Sequence, residues 1–125
     1  MSVSFTQAAN TLTVIRGTSK TYELCVVDEA NEPVDLTGAT VYFTVKRCTS
    51  EETAVLQKTS ANIAEIEIVT PKGGIARIYL TPTDTKSLDI REYVFDVWVR
   101  LASGKVYAVI PPSTLSVQAG VTVLT

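Results

Sequence analysis

Apolar and polar residues alternate with a period of two along most of this chain, and β-branched and aromatic residues fill short runs between Gly, Pro, Asn and Asp. This pattern is typical of strands that bury one face. It predicts an all-β chain whose strands are TLTVIR (11–16), KTYELCVV (20–27), ATVYFTVKR (39–47), AVLQKTS (54–60), AEIEIV (64–69), GIARIYL (74–80), EYVFDVWVRLA (92–102), KVYAVI (105–110) and one more inside residues 114–124. Short strands at this spacing indicate an antiparallel β-sandwich.

One connection between strands is predicted to be helical. Thr81 can cap a helix, Pro82 suits the first helical position, and Asp84 stands where a capping box has an acid. We therefore expect one short helical turn at about residues 82–88. This turn would carry the chain from one sheet to the other.

The strand after this turn begins with a tyrosine. Immunoglobulin-like sandwiches have a helical turn before strand F and a tyrosine near the start of that strand, two residues ahead of a core position. Tyr93 and Phe95 have this spacing. The predicted fold is therefore an immunoglobulin-like antiparallel β-sandwich, with Tyr93 at a tyrosine corner and Phe95 in the core.

The length of 125 residues fits a single domain, which we divide into an N-terminal arm (1–10) and the sandwich (11–124). The net charge of −2 provides no basic field that would attract nucleic acid or anionic lipid, so neither is an expected partner. The sequence has no apolar run long enough to span a bilayer, and MSVSFTQAAN lacks the features of a signal peptide. We expect synthesis in the cytoplasm of the producing cell.

The sequence lacks one residue type on which many catalytic sites depend. The chain has no histidine, which removes Ser-His-Asp and Cys-His constellations. Cys25 and Cys48 alone cannot complete a four-ligand zinc site. Without an export signal, two packed and unpaired thiols are favoured over a disulfide, although the bridge stays open as an alternative.

Two groups of acidic residues deserve comparison with known sites. Glu65 and Glu67 share one strand face, but outward-facing strand carboxylates indicate a solvated surface rather than a cleft for acid and base catalysis. A calcium loop is the second candidate, but the sequence fails the EF-hand pattern, and a plain polar loop is favoured for Asp28, Glu29, Asn31, Glu32 and Asp35. We therefore predict no catalytic residues, no metal and no cofactor.

The most informative surface is the outer face of three strands, 39–47, 92–102 and 105–110, which we expect to be neighbours as strands C, F and G. Alternation leaves aromatic and charged side chains outside, and Trp, Tyr and Arg often dominate binding at protein interfaces. The alternative is that the N-terminal segment or a loop at 111–113 covers this face. The predicted interface residues are Tyr42, Thr44, Lys46, Asp96, Trp98, Arg100 and Tyr107, with Val94 and Val109 beside them.

Four segments of the chain are DLTGATVYFTVKR, AVLQKTS, GGIARIYLTPTDTKSL and YVFDVWVRLASGKVY, and they include the motifs LTG, VxFxVKR, LTPxDT and YxxDV. These segments resemble a group of small tailed-bacteriophage proteins, whose pattern has the same motifs and a closing GxxxV. The resemblance covers roughly residues 34–124 and is similar to the immunoglobulin-like N-terminal domain of baseplate upper proteins. It implies a virion structural module and not an enzyme.

The expected function is therefore that of a non-catalytic structural or connector protein of a tailed-phage virion, associated with the baseplate or tail tip. Its expected partners are other virion proteins and copies of itself. Two alternatives stay open: a capsid decoration or neck protein, and a carbohydrate-binding receptor module that would stack sugar rings on the outer aromatic residues.

Overall fold

The computed structural model describes residues 3–5 and 11–122. Of the predicted N-terminal arm, residues 3–5 alone are described, and they form a strand. The elements in chain order are β1 (Val3–Phe5), β2 (Thr11–Ile15), β3 (Lys20–Asp28), β4 (Thr40–Lys46), β5 (Leu56–Thr59), β6 (Ile66–Thr70), a 3-10 turn (Pro71–Gly73), β7 (Ile75–Leu80), α1 (Pro82–Lys86), β8 (Glu92–Arg100) and β9 (Val106–Gln118). The described helical segments are too short to cross a membrane.

The strands form two sheets that pack face to face. One sheet has the order β1-β3-β7-β6 and the other has the order β2-β9-β8-β4-β5. All pairings are antiparallel except that of β2 with β9, which is parallel. The chain is an immunoglobulin-like β-sandwich, as the alternating pattern predicts, and β4, β8 and β9 are the expected neighbours.

The core forms where the alternating apolar faces of the two sheets meet. Phe43 of β4 and Phe95 of β8 are buried, and their ring centroids lie 5.6 Å apart. The side chain of Tyr22 on β3 reaches the other sheet, where its hydroxyl donates to the carbonyl oxygen of Thr13 on β2 at 3.0 Å. Burial raises the pKa of Tyr22 to about 12, so the phenol stays a hydrogen-bond donor at any physiological pH.

Helix α1 begins with the predicted capping box. The Thr81 hydroxyl accepts from the backbone N–H of Asp84, and the Asp84 carboxylate accepts from the N–H of Thr81 at 2.8 Å. The same carboxylate oxygen accepts from the ammonium of the buried Lys58 at 2.6 Å. Burial acts to raise the pKa of Asp84, but the hydrogen bonds from Lys58 and Thr81 outweigh it and hold the pKa below its usual value.

A buried threonine ties α1 to the connection between β2 and β3. The Thr85 hydroxyl donates to the carbonyl oxygen of Thr18 at 2.8 Å and accepts from the N–H of Gly17 at 2.9 Å. Gly17 has a φ of 84°, a backbone conformation that residues with a side chain rarely adopt. Helix α1 ends at Lys86, so the predicted turn exists but is slightly shorter than residues 82–88.

Tyr93 forms the predicted tyrosine corner. Its ring is buried, and its hydroxyl accepts from the backbone N–H of Asp89 at 2.8 Å. The guanidinium of Arg91 lies over the ring at 5.1 Å from the centroid. The corner therefore fixes the point at which the chain leaves α1 and enters β8.

The last part of the chain differs from the prediction of two strands separated by a loop. Residues 106–118 form the single strand β9, which includes Pro111 and Pro112. Ser113 pairs with Phe95 and Ile110 pairs with Val97, so both prolines face the one intervening residue of β8. A bulge needs no ladder N–H at these positions, which is why the strand tolerates two prolines.

We expect Tyr93→Phe to lower the free energy of unfolding by about 1 kcal/mol, because the hydrogen bond that the buried Tyr93 hydroxyl accepts from the backbone N–H of Asp89 would be lost. Tyr42→Phe is the matched control, since it removes a hydroxyl from the outer sheet face and should change stability by less than about 0.5 kcal/mol. Urea denaturation followed by circular dichroism measures both changes. Equal effects of the two substitutions would contradict the corner's role.

Candidate functional site

The pairing of β4 with β8 determines which predicted interface residues meet. Tyr42 lies opposite Trp98, and Thr44 lies opposite Asp96. Lys46 and Arg100 stand at the two ends of the same ladder. Since side chains alternate across a strand, these six residues share the outer face of the five-stranded sheet, as the sequence predicted.

Trp98 is the most conspicuous side chain of this face, because 47% of it is exposed. Its indole Nε1–H donates to Oδ2 of Asp96 at 3.0 Å, which holds the ring in one orientation. Beside it, the guanidinium of Arg100 lies 5.7 Å from the centre of the Tyr42 ring. The exposed indole is therefore oriented by its hydrogen bond to Asp96 and presents an apolar ring to the solvent.

These residues surround an open depression of about 550 Å³, which we call the outer-face depression. Its floor consists of the β4 and β8 side chains, and the connection between β4 and β5 forms one wall. The lining residues are Tyr42, Thr44, Lys46, Thr49, Glu52, Ala54, Gln57, Val94, Phe95, Asp96, Trp98, Arg100 and Pro112. The wall residues 49–54 could not be predicted, because no periodic pattern indicates where an irregular connection lies.

Asp96 is the acid at the centre of this face. Burial of its carboxyl raises the pKa of Asp96, although the hydrogen bond from Trp98 and the charge of Lys46 act in the opposite direction. The ionised carboxylate is therefore less well solvated in the folded chain than in the unfolded chain. A cationic group brought by a partner would relieve this cost.

Tyr107 does not lie on the outer face, and the predicted orientation of this part of β9 was wrong. Tyr107 pairs with Val99 and packs against the core, whereas Ala108 pairs with Trp98 on the outside. Val109, predicted to lie on the outer face, is 4% exposed, whereas Val106 is 47% exposed. The reason is a bulge at which Val109 and Ile110 both face inward. Strict alternation counted from Ile110 therefore assigns every residue before the bulge to the wrong face.

The described residues do not cover Trp98. The predicted covering loop at 111–113 lies within β9 instead, and Pro112 forms only a part of the depression's lining. Of the N-terminal arm, the described residues 3–5 pair with β3 in the other sheet. The remaining arm residues lie outside the described part of the chain.

Glu67 on β6 and Glu65, which directly precedes this strand, accept structural hydrogen bonds. Glu65 accepts from the backbone N–H of Thr59 at 3.0 Å, and Glu67 accepts from the hydroxyl of Tyr79 at 2.7 Å. The bond to Glu67 is the main reason why the pKa of Tyr79 is raised. The two carboxylates therefore serve different contacts and do not converge on a cleft.

The polar loop after β3 builds turns with its acidic side chains. Asp28 accepts from the backbone N–H groups of Ala30 and Glu32. Asp35 accepts from the N–H and hydroxyl of Thr37, and these bonds hold the pKa of Asp35 below its usual value. Within residues 3–5 and 11–122, no three His, Cys, Asp or Glu side chains group together as a metal site would require.

Both thiols are unpaired. Cys25 is half-buried. Cys48 is exposed, whereas the sequence analysis favoured a packed thiol. A hydrogen bond with Ser50 is the main reason why the pKa of the Cys48 thiol is lowered.

Comparison with known proteins supports the fold without assigning the chain to a family. No protein-family model and no curated protein sequence matches the chain. CopC from Methylosinus trichosporium OB3b is similar in structure, with a TM-score of 0.54, 11% identity and coverage of 98% of this chain and 99% of CopC. The Lin-41 filamin domain gives a TM-score of 0.52, 13% identity and coverage of 94% and 93%, respectively.

The GspB Siglec domain is a third similar structure. It gives a TM-score of 0.50 and 19% identity over 95% of this chain and 57% of that one. At such low identities, these likenesses show a shared immunoglobulin-like sandwich, and none of the three descriptions names an enzyme.

We expect Asp96→Asn to make the isolated chain more stable at neutral pH. Because the folded pKa of Asp96 is raised, the folded state binds more protons than the unfolded state, and stability falls as pH rises through the interval between the two pKa values. The gain from Asn should therefore disappear below pH of about 4, where the carboxyl is protonated in both states.

Asp84→Asn is the matched control with the opposite sign. The pKa of Asp84 is lowered, so its stabilising contribution is present at neutral pH and is lost as pH falls through the folded pKa. Melting temperatures measured from pH 3 to pH 8 test both variants. A stability loss at neutral pH for Asp96→Asn would contradict the assigned desolvation.

Proposed function

We propose that this protein is a non-catalytic structural or connector protein of a tailed-phage virion, associated with the baseplate or tail tip. In this proposal it is made in the host cytoplasm and acts in the virion through protein contacts, without nucleic acid or membrane as a partner. The observation that carries the proposal is the half-exposed Trp98, which is hydrogen-bonded to Asp96 and lines the outer-face depression. Tryptophans are frequent energetic centres of protein interfaces.

The two outer faces of the sandwich differ in the way that this proposal requires. On the four-stranded sheet, Arg77 pairs with Glu23 at 3.5 Å, and Tyr79 bonds to Glu67. These two contacts satisfy polar groups on that face, which makes this part of it suited to solvent. The aromatic side chains of the five-stranded sheet are instead left exposed beside charges, which is the composition of an interface core and rim.

The edge of the five-stranded sheet is a poorer docking site than its face. At Thr59 of the edge strand β5, the backbone N–H donates to Glu65 and the carbonyl accepts from the N–H of Asn62 at 3.2 Å. These bonds occupy groups that an added strand would need. We therefore favour docking through the outer face over strand addition at β5.

The resemblance to phage virion proteins supports the virion context. Its motifs coincide with structural features of this fold: LTPxDT contains the capping box of Thr81 and Asp84, and the LTG segment ends at Gly38, which has a φ of 73°. Such motifs build a scaffold and supply no nucleophile. The carboxylates considered above are used in turns, caps and ladders, which supports a non-catalytic role.

Purified virions of the phage that encodes this chain provide the first test. We expect a specific antibody to label the tail tip or baseplate, and hydroxyl-radical labelling to modify Trp98 less in the particle than in the isolated chain. The matched control is Tyr79, which lies on the polar outer face and should be modified equally in both. Absence of the protein from purified particles would contradict the proposal, and labelling of the capsid or neck would favour the alternative location.

A carbohydrate-binding receptor module is the second candidate. The observation that favours it is the flat indole of Trp98 beside the Asp96 carboxylate in a depression of about 550 Å³, since an aromatic face can stack on a sugar ring while an acid accepts its hydroxyl groups.

A glycan array separates the two candidates. Saturable binding that Trp98→Ala abolishes and Tyr79→Ala preserves would favour the receptor module. We expect no saturable binding by the unmodified chain, because the proposed ligand of this face is protein.

A further inference from the structure

The charges of the outer face have a symmetric arrangement around one rung of the sheet. Trp98 pairs with Tyr42 across β8 and β4. Along β8, Asp96 lies two residues before Trp98 and Arg100 lies two residues after it, so all three point outward. Along β4, a threonine stands on either side of Tyr42 in the same way, at positions 40 and 44.

We propose that this face binds a second copy of the same chain, about a two-fold axis that passes over the rung of Tyr42 and Trp98. The inference rests on the proposed function and deepens it, since it names the first partner of the interface. The axis lies between the facing five-stranded sheets of the two copies, parallel to these sheets and perpendicular to their strands. Each strand then runs antiparallel to its counterpart in the other copy.

This symmetry brings opposite charges together. A residue two positions before the axis in one copy meets a residue two positions after it in the other, so Asp96 of each copy faces Arg100 of the other copy. Trp98 meets Trp98, Tyr42 meets Tyr42, and threonine meets threonine on β4. An isologous interface must be complementary to itself in this way.

Other two-fold arrangements of the same face are less favourable. An axis parallel to the strands would set Asp96 level with Asp96 and Arg100 level with Arg100, and opposed like charges disfavour association. Asp96 and Arg100 can also each form a further bond to a second copy. Trp98 bonds to Oδ2 of Asp96, which leaves Oδ1 for the copy, and Arg100 forms no ion pair within the described residues.

The size of the face suggests the strength of the contact. The paired length of β4 and β8 is about 20 Å, and five strands span about 19 Å, which gives a flat footprint of roughly 400 Å². Stable interfaces bury about 800 Å² on each partner, so the isolated dimer should be weak, with a dissociation constant in the micromolar range or above.

Sedimentation equilibrium of the full chain, from micromolar to millimolar concentration, tests the association. We expect the average mass to rise toward twice that of the monomer. Because Trp98 is the single tryptophan, its emission should shift to shorter wavelength over the same concentration range. A monomer at every concentration would overturn the inference.

A charge exchange tests the geometry. Asp96→Arg or Arg100→Asp alone should weaken association at least about tenfold, because each opposes like charges across the axis. The double variant with both changes should recover most of the lost affinity. The control Glu23→Arg alters a charge of the other outer face and should leave association unchanged, and circular dichroism of every variant verifies folding.

The outcomes distinguish this inference from the proposed function. If the double variant associates no better than the single ones, the two-fold arrangement is overturned. If the chain stays monomeric but Trp98 is protected in the particle, the second copy is excluded as the partner, and the structural role in the virion stands with a different neighbour.

Discussion

The antiparallel ladder between β4 and β8 is the contact on which the rest of this structure depends. It joins the centres of the core and of the outer face in one register: Phe43 faces the core opposite Val97, while the next rung sets Tyr42 opposite Trp98 on the outside. Because side chains alternate strictly, a slip by one residue would expose the core residues and bury Trp98. The stability of the core therefore guarantees the composition of the outer face.

The connection before β8 keeps this register in place. Thr85 is bonded to the turn between β2 and β3, Asp84 is bonded to Lys58 of β5, and Tyr93 holds the backbone at Asp89. In each bond one side chain is buried, namely that of Thr85, Lys58 or Tyr93, so loss of the bond would leave a buried polar group without a partner. Together they connect α1 to both sheets and determine where β8 begins.

The outer face of the five-stranded sheet contains two side chains, Trp98 and Asp96, whose surroundings in the isolated chain are unfavourable. Burial of the half-exposed indole by a partner would lower the free energy of the system, and a cationic group of that partner would relieve the poor solvation that raises the pKa of Asp96. On the opposite outer face, Glu23 pairs with Arg77 and Glu67 bonds to Tyr79. Binding of a partner over these satisfied pairs would therefore lower the free energy less. This asymmetry between the faces is the physical basis for assigning binding to one of them.

The sequence by itself determined the sandwich class, the capping box, the tyrosine corner and the outward direction of Tyr42, Asp96 and Trp98, because local alternation and capping chemistry carry that information. It could not give the face of Tyr107, since a bulge reverses alternation wherever two adjacent residues both point inward, as Val109 and Ile110 do. It could not give the wall of the depression or the ion pair of Lys58, which join segments distant in the chain. Only tertiary structure decides such contacts, because they depend on how separate elements pack and not on the pattern within any one of them.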